Sequence, residues 1–590
     1  MAIESYCIDG WHTLIGVQRL AINDLTALGN QPMRSRMDDS SLIYNGEVFN
    51  YLQIRKELVS CGHTFKSNCD TEVLLAALSE WGPEKALEKC IGMWAFAWCH
   101  PKSNRVVLAR DRFGEKPLYY YMKDNVFIWA SEIKTILLLA NRKFSLNVQA
   151  VGEFVLQGFS STSPQTIFND IHQLPSGNVC EITLSKSINF NVRPYYQIAP
   201  RNLEHLDFDG LTESLQVLLT DAIGIRLRCD VPVGVLLSGG IDSSLIAAIA
   251  NNRLWKGQHL NLISSSCEIP GFDERHYSRS LGEFIGREST EIEFNLGHEN
   301  FGKSLEQATW HNDEPVQAIS TLMHLQLMKK AKELGIKVVL SGQGADEVFC
   351  GYKKYFGFYL QSLIARKECI EACLVMYRLF RQKTVLKQFT FAEAKRYFPR
   401  CLRSTNHSIA GPYLESFRPL SIGMGRKESI QCRQKLDIQS LSIPANTHYE
   451  DRMAMAVSVE NRTPFLDHRV VEFGLGLQAD DKLRNGWTKY LLRKVSESYV
   501  PKEISWRRDK MGLTNPGGEW LKTELRETVK SYFGDESLMF QKNLVNRKAL
   551  MEKYKKYCAQ PFGKGTISTA EIFNPLSLEV WLRTFQNNIV

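Results

Sequence analysis

Ser238-Gly239-Gly240-Ile241-Asp242-Ser243-Ser244 decides how the chain is read. The apolar run Val233-Gly234-Val235-Leu236-Leu237 precedes it, and Leu245-Ile246-Ala247-Ala248-Ile249-Ala250 follows it. That order predicts a buried strand, a tight turn and the start of a helix. Glycine lets the backbone approach a ligand closely, because no Cβ intervenes. Free N–H groups at a helix N-terminus attract anions, and the serine hydroxyls add donors. Among these groups the Asp242 carboxylate would repel phosphate unless a Mg2+ ion lies between them. The GxxxxGK pattern of a Walker A loop is absent from this stretch. An ordinary Gly-Ser turn between strand and helix is the competing reading.

Outward from this turn, strands and helices alternate. Residues 261–266 and 290–294 read as strands, with a helix over 275–287 between them. An amphipathic helix over 322–334 is closed by Gly335, and Ile336-Lys337-Val338-Val339-Leu340 reads as the next strand. Alternation of this kind predicts a doubly wound parallel sheet, whose ligands bind beyond the carboxyl ends of the strands. The stretch 238–244 follows one strand, and Ser341-Gly342-Gln343-Gly344-Ala345-Asp346-Glu347 follows another. Asp346 comes after Gly344-Ala345 much as Asp242 comes after Gly239-Gly240-Ile241. Two carboxylates from neighbouring strand ends can share one Mg2+ against phosphate oxygens. A helix N-cap is the other role open to Asp346.

Residues 1 to about 200 have a different texture, with short apolar strands such as 105–110 and 125–130. Helices are expected over 72–81 and 84–90, separated by Gly82-Pro83. The mixture predicts an α+β domain, layered α/β/β/α. Arg193-Pro194-Tyr195-Tyr196 and Ala199-Pro200-Arg201-Asn202 mark a linker, giving domains over 1–200 and 210–590. Residues 355–445 read as helical, basic and aromatic, a helical part of the second domain without a legible chemical motif.

The 590 residues are 44% hydrophobic and 23% charged, ordinary for a soluble globular protein with more than one core. The net charge of +8 suits anionic substrates, although a solvated surface produces the same excess. There is no dense Lys/Arg run, membrane-length apolar run or signal-peptide start, so neither a nucleic acid nor a membrane is an expected partner. The 14 cysteines form no CxxC pair, and Cys369 and Cys373 have no His-rich partner segment. Buried free thiols in a reducing cytoplasm are expected.

The Ser238–Ser244 stretch resembles the pyrophosphate loop of ATP pyrophosphatases, and the chain around it is similar to the asparagine synthetases. Two further segments carry the likeness. Tyr449-Glu450-Asp451-Arg452-Met453-Ala454-Met455-Ala456 leads into Glu460-Asn461-Arg462-Thr463-Pro464-Phe465-Leu466-Asp467, and Gly486-Trp487-Thr488-Lys489-Tyr490-Leu491-Leu492-Arg493 follows. The resemblance implies ATP-dependent amide formation through an acyl-adenylate, with ATP and Mg2+ as cofactors. It places Leu236, Ser238, Gly239, Gly240, Asp242, Ser243, Cys267, Ser341 and Gly342 around the nucleotide, and Asp242 and Asp346 at the metal. Lys489 falls at the reaction centre, where a fixed ammonium stabilises charge as pyrophosphate leaves. For Glu460 and Arg462, structural ion pairs and substrate contacts are equally open. Gln343 stands where the family commonly has Glu; an amide cannot ionise, attract ammonium or act as a base.

The front of the chain resembles the family's N-terminal-nucleophile glutaminase. Arg110-Asp111-Arg112-Phe113-Gly114-Glu115-Lys116-Pro117-Leu118-Tyr119-Tyr120 is part of that likeness. The match implies that Arg19, Asn45, Gly46, Glu47 and Asp70 line a glutamine pocket, with Asn45 and Gly46 forming the oxyanion hole. The family's nucleophile is a Cys directly after Met1, using its own α-amine as base, whereas here residue 2 is Ala. Cys7 carries a thiol, but its nitrogen is inside a peptide bond. The chain is therefore expected to begin partway into this domain and to use free ammonia.

The leading expectation is asparagine synthesis from aspartate, or a related amidotransfer to another carboxylate. An amidotransferase of cell-surface sugar or natural-product biosynthesis, a β-lactam-type synthetase and a non-catalytic scaffold are the alternatives. A homodimer is a further expectation.

Overall fold

The structure is a computed structural model that describes residues 2–8, 10–255, 257–267, 273–294, 298–382, 406–423, 428–508, 516–561 and 566–590. Asp9 and parts of the 355–445 stretch lie outside these residues.

The N-terminal part is built on β1 (Ala2–Ile8), β2 (Trp11–Val17), β3 (Met33–Arg34), β4 (Ser41–Val48), β5 (Gly92–His100) and β6 (Arg105–Arg110). It continues with β7 (Tyr119–Lys123), β8 (Val126–Ala130), β9 (Ile171–Gln173), β10 (Asn178–Leu184) and β11 (Ile188–Pro194). Six strands form one antiparallel sheet in the order β11-β10-β6-β5-β4-β3, and β8-β7-β9 form a second. The central strand β5 shows how its sequence builds the layers. Its large residues Trp94, Phe96 and Trp98 pack with the helices Tyr51–Ser60 and Asp70–Lys89. Its small ones, Ala95, Ala97 and Cys99, pack with Tyr120 and Trp129 of the second sheet and with Leu118 just before it. Alternation along a strand sends one size to each face. The other face of β7 and β8 buries Tyr119, Tyr121 and Ile128 against further helices, which completes the expected α/β/β/α layering. The helix Asp70–Lys89 breaks at Gly82 (φ 74°), where Gly82-Pro83 was expected to divide it.

After Pro194 no strand or helix occurs until Phe208. The second part contains β12 (Val233–Leu237), β13 (Leu260–Ser266), β14 (Ser289–Glu293), β15 (Val338–Leu340) and β16 (Glu460–Arg462). They form one five-stranded sheet in the order β14-β13-β12-β15-β16, with every neighbouring pair parallel. Strand order reverses between β12 and β15, so a crevice opens there at the carboxyl ends. The helix Ile241–Asn251 buries Ile241 through Ala250 without a polar face, because it is covered on all sides. Among the described cysteines, Cys7, Cys61, Cys369, Cys373 and Cys432 are exposed, against the expectation of burial; seven others are buried.

The last helix, Ala570–Phe585, joins the two parts. Trp581 and Phe585 share a core with Phe144 and Phe168 of the N-terminal part, and Val590 N–H donates to Phe144 C=O at 3.0 Å. Each large apolar side chain buried this way stabilises the fold by about 1.5–3 kcal/mol.

Candidate active site

The crevice between β12 and β15 brings together residues far apart in sequence. Ser238 directly follows β12, and its N–H donates to Ser243 Oγ at 3.1 Å, so the serine hydroxyl closes the turn. Gly239 has a φ of +63°, and a Cβ there would lie 2.7 Å from Tyr277 Cβ. This position therefore requires glycine for both conformation and space. Arg507 braces the same turn, donating to Gly239 C=O at 3.1 Å with its guanidinium 3.8 Å from the Tyr277 ring centroid. The first turn of the helix Ile241–Asn251 carries Asp242 and Ser243. On the β15 side, a Cβ on Gly342 would lie 3.0 Å from Asp242 Cβ, so the two loops touch. Leu236 lies within β12, and Cys267 directly follows β13, the strand on its other side.

Lys489 ties these loops together. It precedes the helix Tyr490–Ser496 in a left-handed conformation (φ 54°) and is 3% exposed. Its Nζ donates to Asp242 Oδ1 and Oδ2 at 2.8 and 2.7 Å and lies 2.5 Å from Asp346 Oδ1. One cation thus bridges carboxylates from two strand ends. Gly351, which sequence reasoning missed, makes this approach possible: a Cβ there would lie 1.8 Å from Asp346 Oδ1 and 2.1 Å from Lys489 Cε. A lone glycine after Phe349-Cys350 carries no local signal of that contact. Arg493 lies on the same helix; burial pulls its guanidinium down to about 10, against the pull of Asp242 and Asp346.

The donor set suits Mg2+. Two carboxylates already converge on one cationic point, and the remaining oxygens of a Mg2+ shell come from phosphate and water.

Beside these loops lies Glu450, on the helix Ile443–Met455, which the sequence reading quoted but gave no role. Its Oε2 accepts from Ser341 Oγ at 2.9 Å and from Asn461 Nδ2 at 2.6 Å. Gln343 Nε2 donates to Tyr449 OH at 3.2 Å. Burial pushes the Glu450 carboxyl up to about 7, offset in part by hydrogen bonds from Gln343, Ser341 and Asn461.

The expected glutamine-pocket residues gather around β4. Arg19 is held by Asn23, Asp24 and Thr26 carbonyls, and Gly29 leaves space for its guanidinium. Gly46 has a φ of +151°, with Met93 C=O only 2.1 Å from where a Cβ would be. Asn45 Nδ2 donates to Ser131 Oγ at 3.4 Å. Asp70 is 3% exposed, its Oδ2 accepting from Tyr44 OH and Val48 N–H, both at 3.0 Å. Glu47 faces away from solvent, accepting from Asn23 and lying 3.4 Å from Arg462; burial and then Asp70 raise its carboxyl. Cys7 is opposite His12 in the β1–β2 hairpin.

The two long signatures meet each other. Lys116 Nζ is 2.9 Å from Asp451 and 4.0 Å from Glu460, Tyr119 OH is 3.1 Å from His448 Nδ1, and Thr463 donates to Glu115. Arg462 is fully buried, donating to Glu460 Oε1 at 2.9 Å and to Arg226 C=O at 2.7 Å. In this structure Glu460 and Arg462 are therefore partners in structural ion pairs.

A family model described as asparagine synthase matches residues 214–583, and one described as a glutamine amidotransferase domain matches residues 4–196. Asparagine synthetase [glutamine-hydrolyzing] 1 of Bacillus subtilis (strain 168) is 31% identical over 538 residues, 88% of this chain and 82% of the relative. Its number 3 counterpart in the same organism is 30% identical over 534 residues, 87% of this chain and 83% of the relative. Amidase chyE of Penicillium rubens is 25% identical over 580 residues, 89% of this chain and 84% of the relative.

Proposed function

The chain belongs to the asparagine synthase family of carbon–nitrogen ligases, and on that premise we propose that it activates a carboxylate with ATP and converts it to an amide. The observation that carries this reading is the Lys489 ammonium between Asp242 and Asp346, at the ends of two parallel strands. The Ser238–Ser243 turn and the following helix N-terminus offer donors to phosphate oxygens. Asp242 and Asp346 would hold Mg2+, which when bound neutralises phosphate charge as pyrophosphate departs. Lys489 supplies a positive charge without proton transfer, fixed in place before the reaction by burial. The substrate carboxylate attacks the α-phosphorus, pyrophosphate leaves, and the resulting acyl-adenylate is opened by ammonia.

Aspartate is the acceptor proposed first, in line with the names of the Bacillus relatives. The amidotransferase-like part supports glutamine as the nitrogen source in the family's way of working. Among the described residues no helix is long and apolar enough to cross a membrane. The reading is tested by ATP–pyrophosphate exchange with L-aspartate and a panel of other carboxylic acids. Exchange that depends on one acid and on Mg2+ is expected, and Asp242→Asn should reduce it at least ~100-fold. No exchange with any acid, or wild-type exchange in Asp242→Asn, overturns the assignment.

A further inference from the structure

Opening an acyl-adenylate with ammonia needs a base. As the C–N bond forms, the nitrogen becomes cationic, and an N–H proton must leave before the amide is stable. Gln343 cannot take it. Glu450 lies beside Gln343. Its helix, Ile443–Met455, directs the side chain at the carboxyl ends of β15 and β16, where Oε2 is anchored by Ser341 Oγ at 2.9 Å and Asn461 Nδ2 at 2.6 Å. Ser341 is followed by Gly342, which packs on Asp242. The carboxyl and the Lys489 cluster thus flank one strand-end loop.

We propose that the Glu450 carboxylate, anchored by Ser341 and Asn461 next to Gln343, is the proton acceptor for the nitrogen that attacks the acyl-adenylate. The inference rests on the adenylation reading above. In the step, ammonia forms the C–N bond, and the C–O bond to AMP breaks with its electron pair leaving on AMP. One N–H proton passes to Glu450 and from there to solvent. No oxidant or reductant is involved.

The surroundings suit a base. The groups holding Glu450 are neutral donors, and burial raises its carboxyl to about 7. A general base works best when its pKa is near the operating pH. Asp467, held by two arginines, is driven the opposite way. The ionisable groups facing Glu450 are Tyr449 from its own helix, Glu347 from the helix Ala345–Val348 and His324 from the helix Ser320–Glu333. Burial keeps His324 neutral, and Glu347 adds negative charge, so neither lowers the carboxyl of Glu450. The Lys116–Asp451 pair follows one residue on and is self-neutralising.

The test compares wild type, Glu450→Gln and Glu450→Asp, using L-aspartate, ATP, Mg2+ and ammonium chloride from pH 6 to 9. Pyrophosphate exchange reads adenylation, and asparagine formation, corrected for free NH3, reads the second step. Glu450→Gln is expected to keep exchange within about threefold of wild type while asparagine formation falls at least ~100-fold. Glu450→Asp should recover part of it. In wild type the corrected rate should fall below about pH 7, and that inflection should vanish in Glu450→Gln. Asparagine formation unchanged in Glu450→Gln overturns the proposal. Equal loss of exchange and product also overturns it, assigning Glu450 to adenylation or folding instead. A wild-type chain that exchanges with no acid of the panel overturns the adenylation reading, and this proposal with it.

Discussion

At the residue scale, Lys489 and Gly351 make one device. The ammonium is 3% exposed and within 2.8 Å of both carboxylates, a contact that the absent side chain of Gly351 permits. Lys489→Ala removes the fixed charge and leaves two carboxylates in mutual repulsion. It is expected to lower pyrophosphate exchange at least ~100-fold, the usual cost of losing one charge-stabilising donor. Gly351→Ala keeps every charged group but places a Cβ 2.1 Å from Lys489 Cε. Displacing the ammonium by about 1 Å should cost a similar ~100-fold, and circular dichroism should show the fold retained. Normal exchange in Gly351→Ala would mean that the ammonium position is not critical.

At the scale of elements, the helices Phe208–Arg226 and His468–Gly476 are joined by Asp467. Its carboxylate caps the second helix, accepting from Arg469 N–H at 3.1 Å, and pairs with Arg226 and Arg469, each at 2.9 Å. Burial alone would raise this carboxyl, but Arg226 and Arg469 outweigh it and hold it well below the usual range. A lowered folded-state pKa gives stability that is full above the unfolded value of about 3.9 and lost as pH falls below it. Melting temperature should therefore drop with acidification below about pH 4 more steeply in wild type than in Asp467→Asn. At pH 7 Asp467→Asn should cost about 3–5 kcal/mol, because Arg226 is left buried without its counter-ion. Thermal melts of both proteins across pH decide this; superimposable curves would remove the pair from the stability account.

At the scale of the molecule, the two parts share a core and a set of buried charges. The 110–120 segment of the first meets the 447–463 segment of the second through Lys116–Asp451, Tyr119–His448 and Glu115–Thr463. Lys116→Met should therefore destabilise both parts together, because Asp451 loses its cation.

Local order alone made much of this legible. The run from Val233 to Ala250 specifies strand, turn and helix through apolar spacing and glycine placement, and its repeat at residues 336–347 places two Gly-rich loops on one sheet. The break at Gly82 and the strand Arg105–Arg110 were equally readable, since each depends on neighbouring residues. Charge pairing was not. Lys489 meets Asp242 across 247 residues, and Ser341 meets Glu450 across 109. Whether Arg462 contacts substrate or Glu460, and whether Glu450 is solvated or held by neutral donors, depends on through-space distance and burial, which change Coulomb energies severalfold. The sequence by itself determined the sheet and the loops that end its strands. Only the tertiary structure decided which ionisable groups face one another there, because desolvation and pairing act between segments that chain order does not connect.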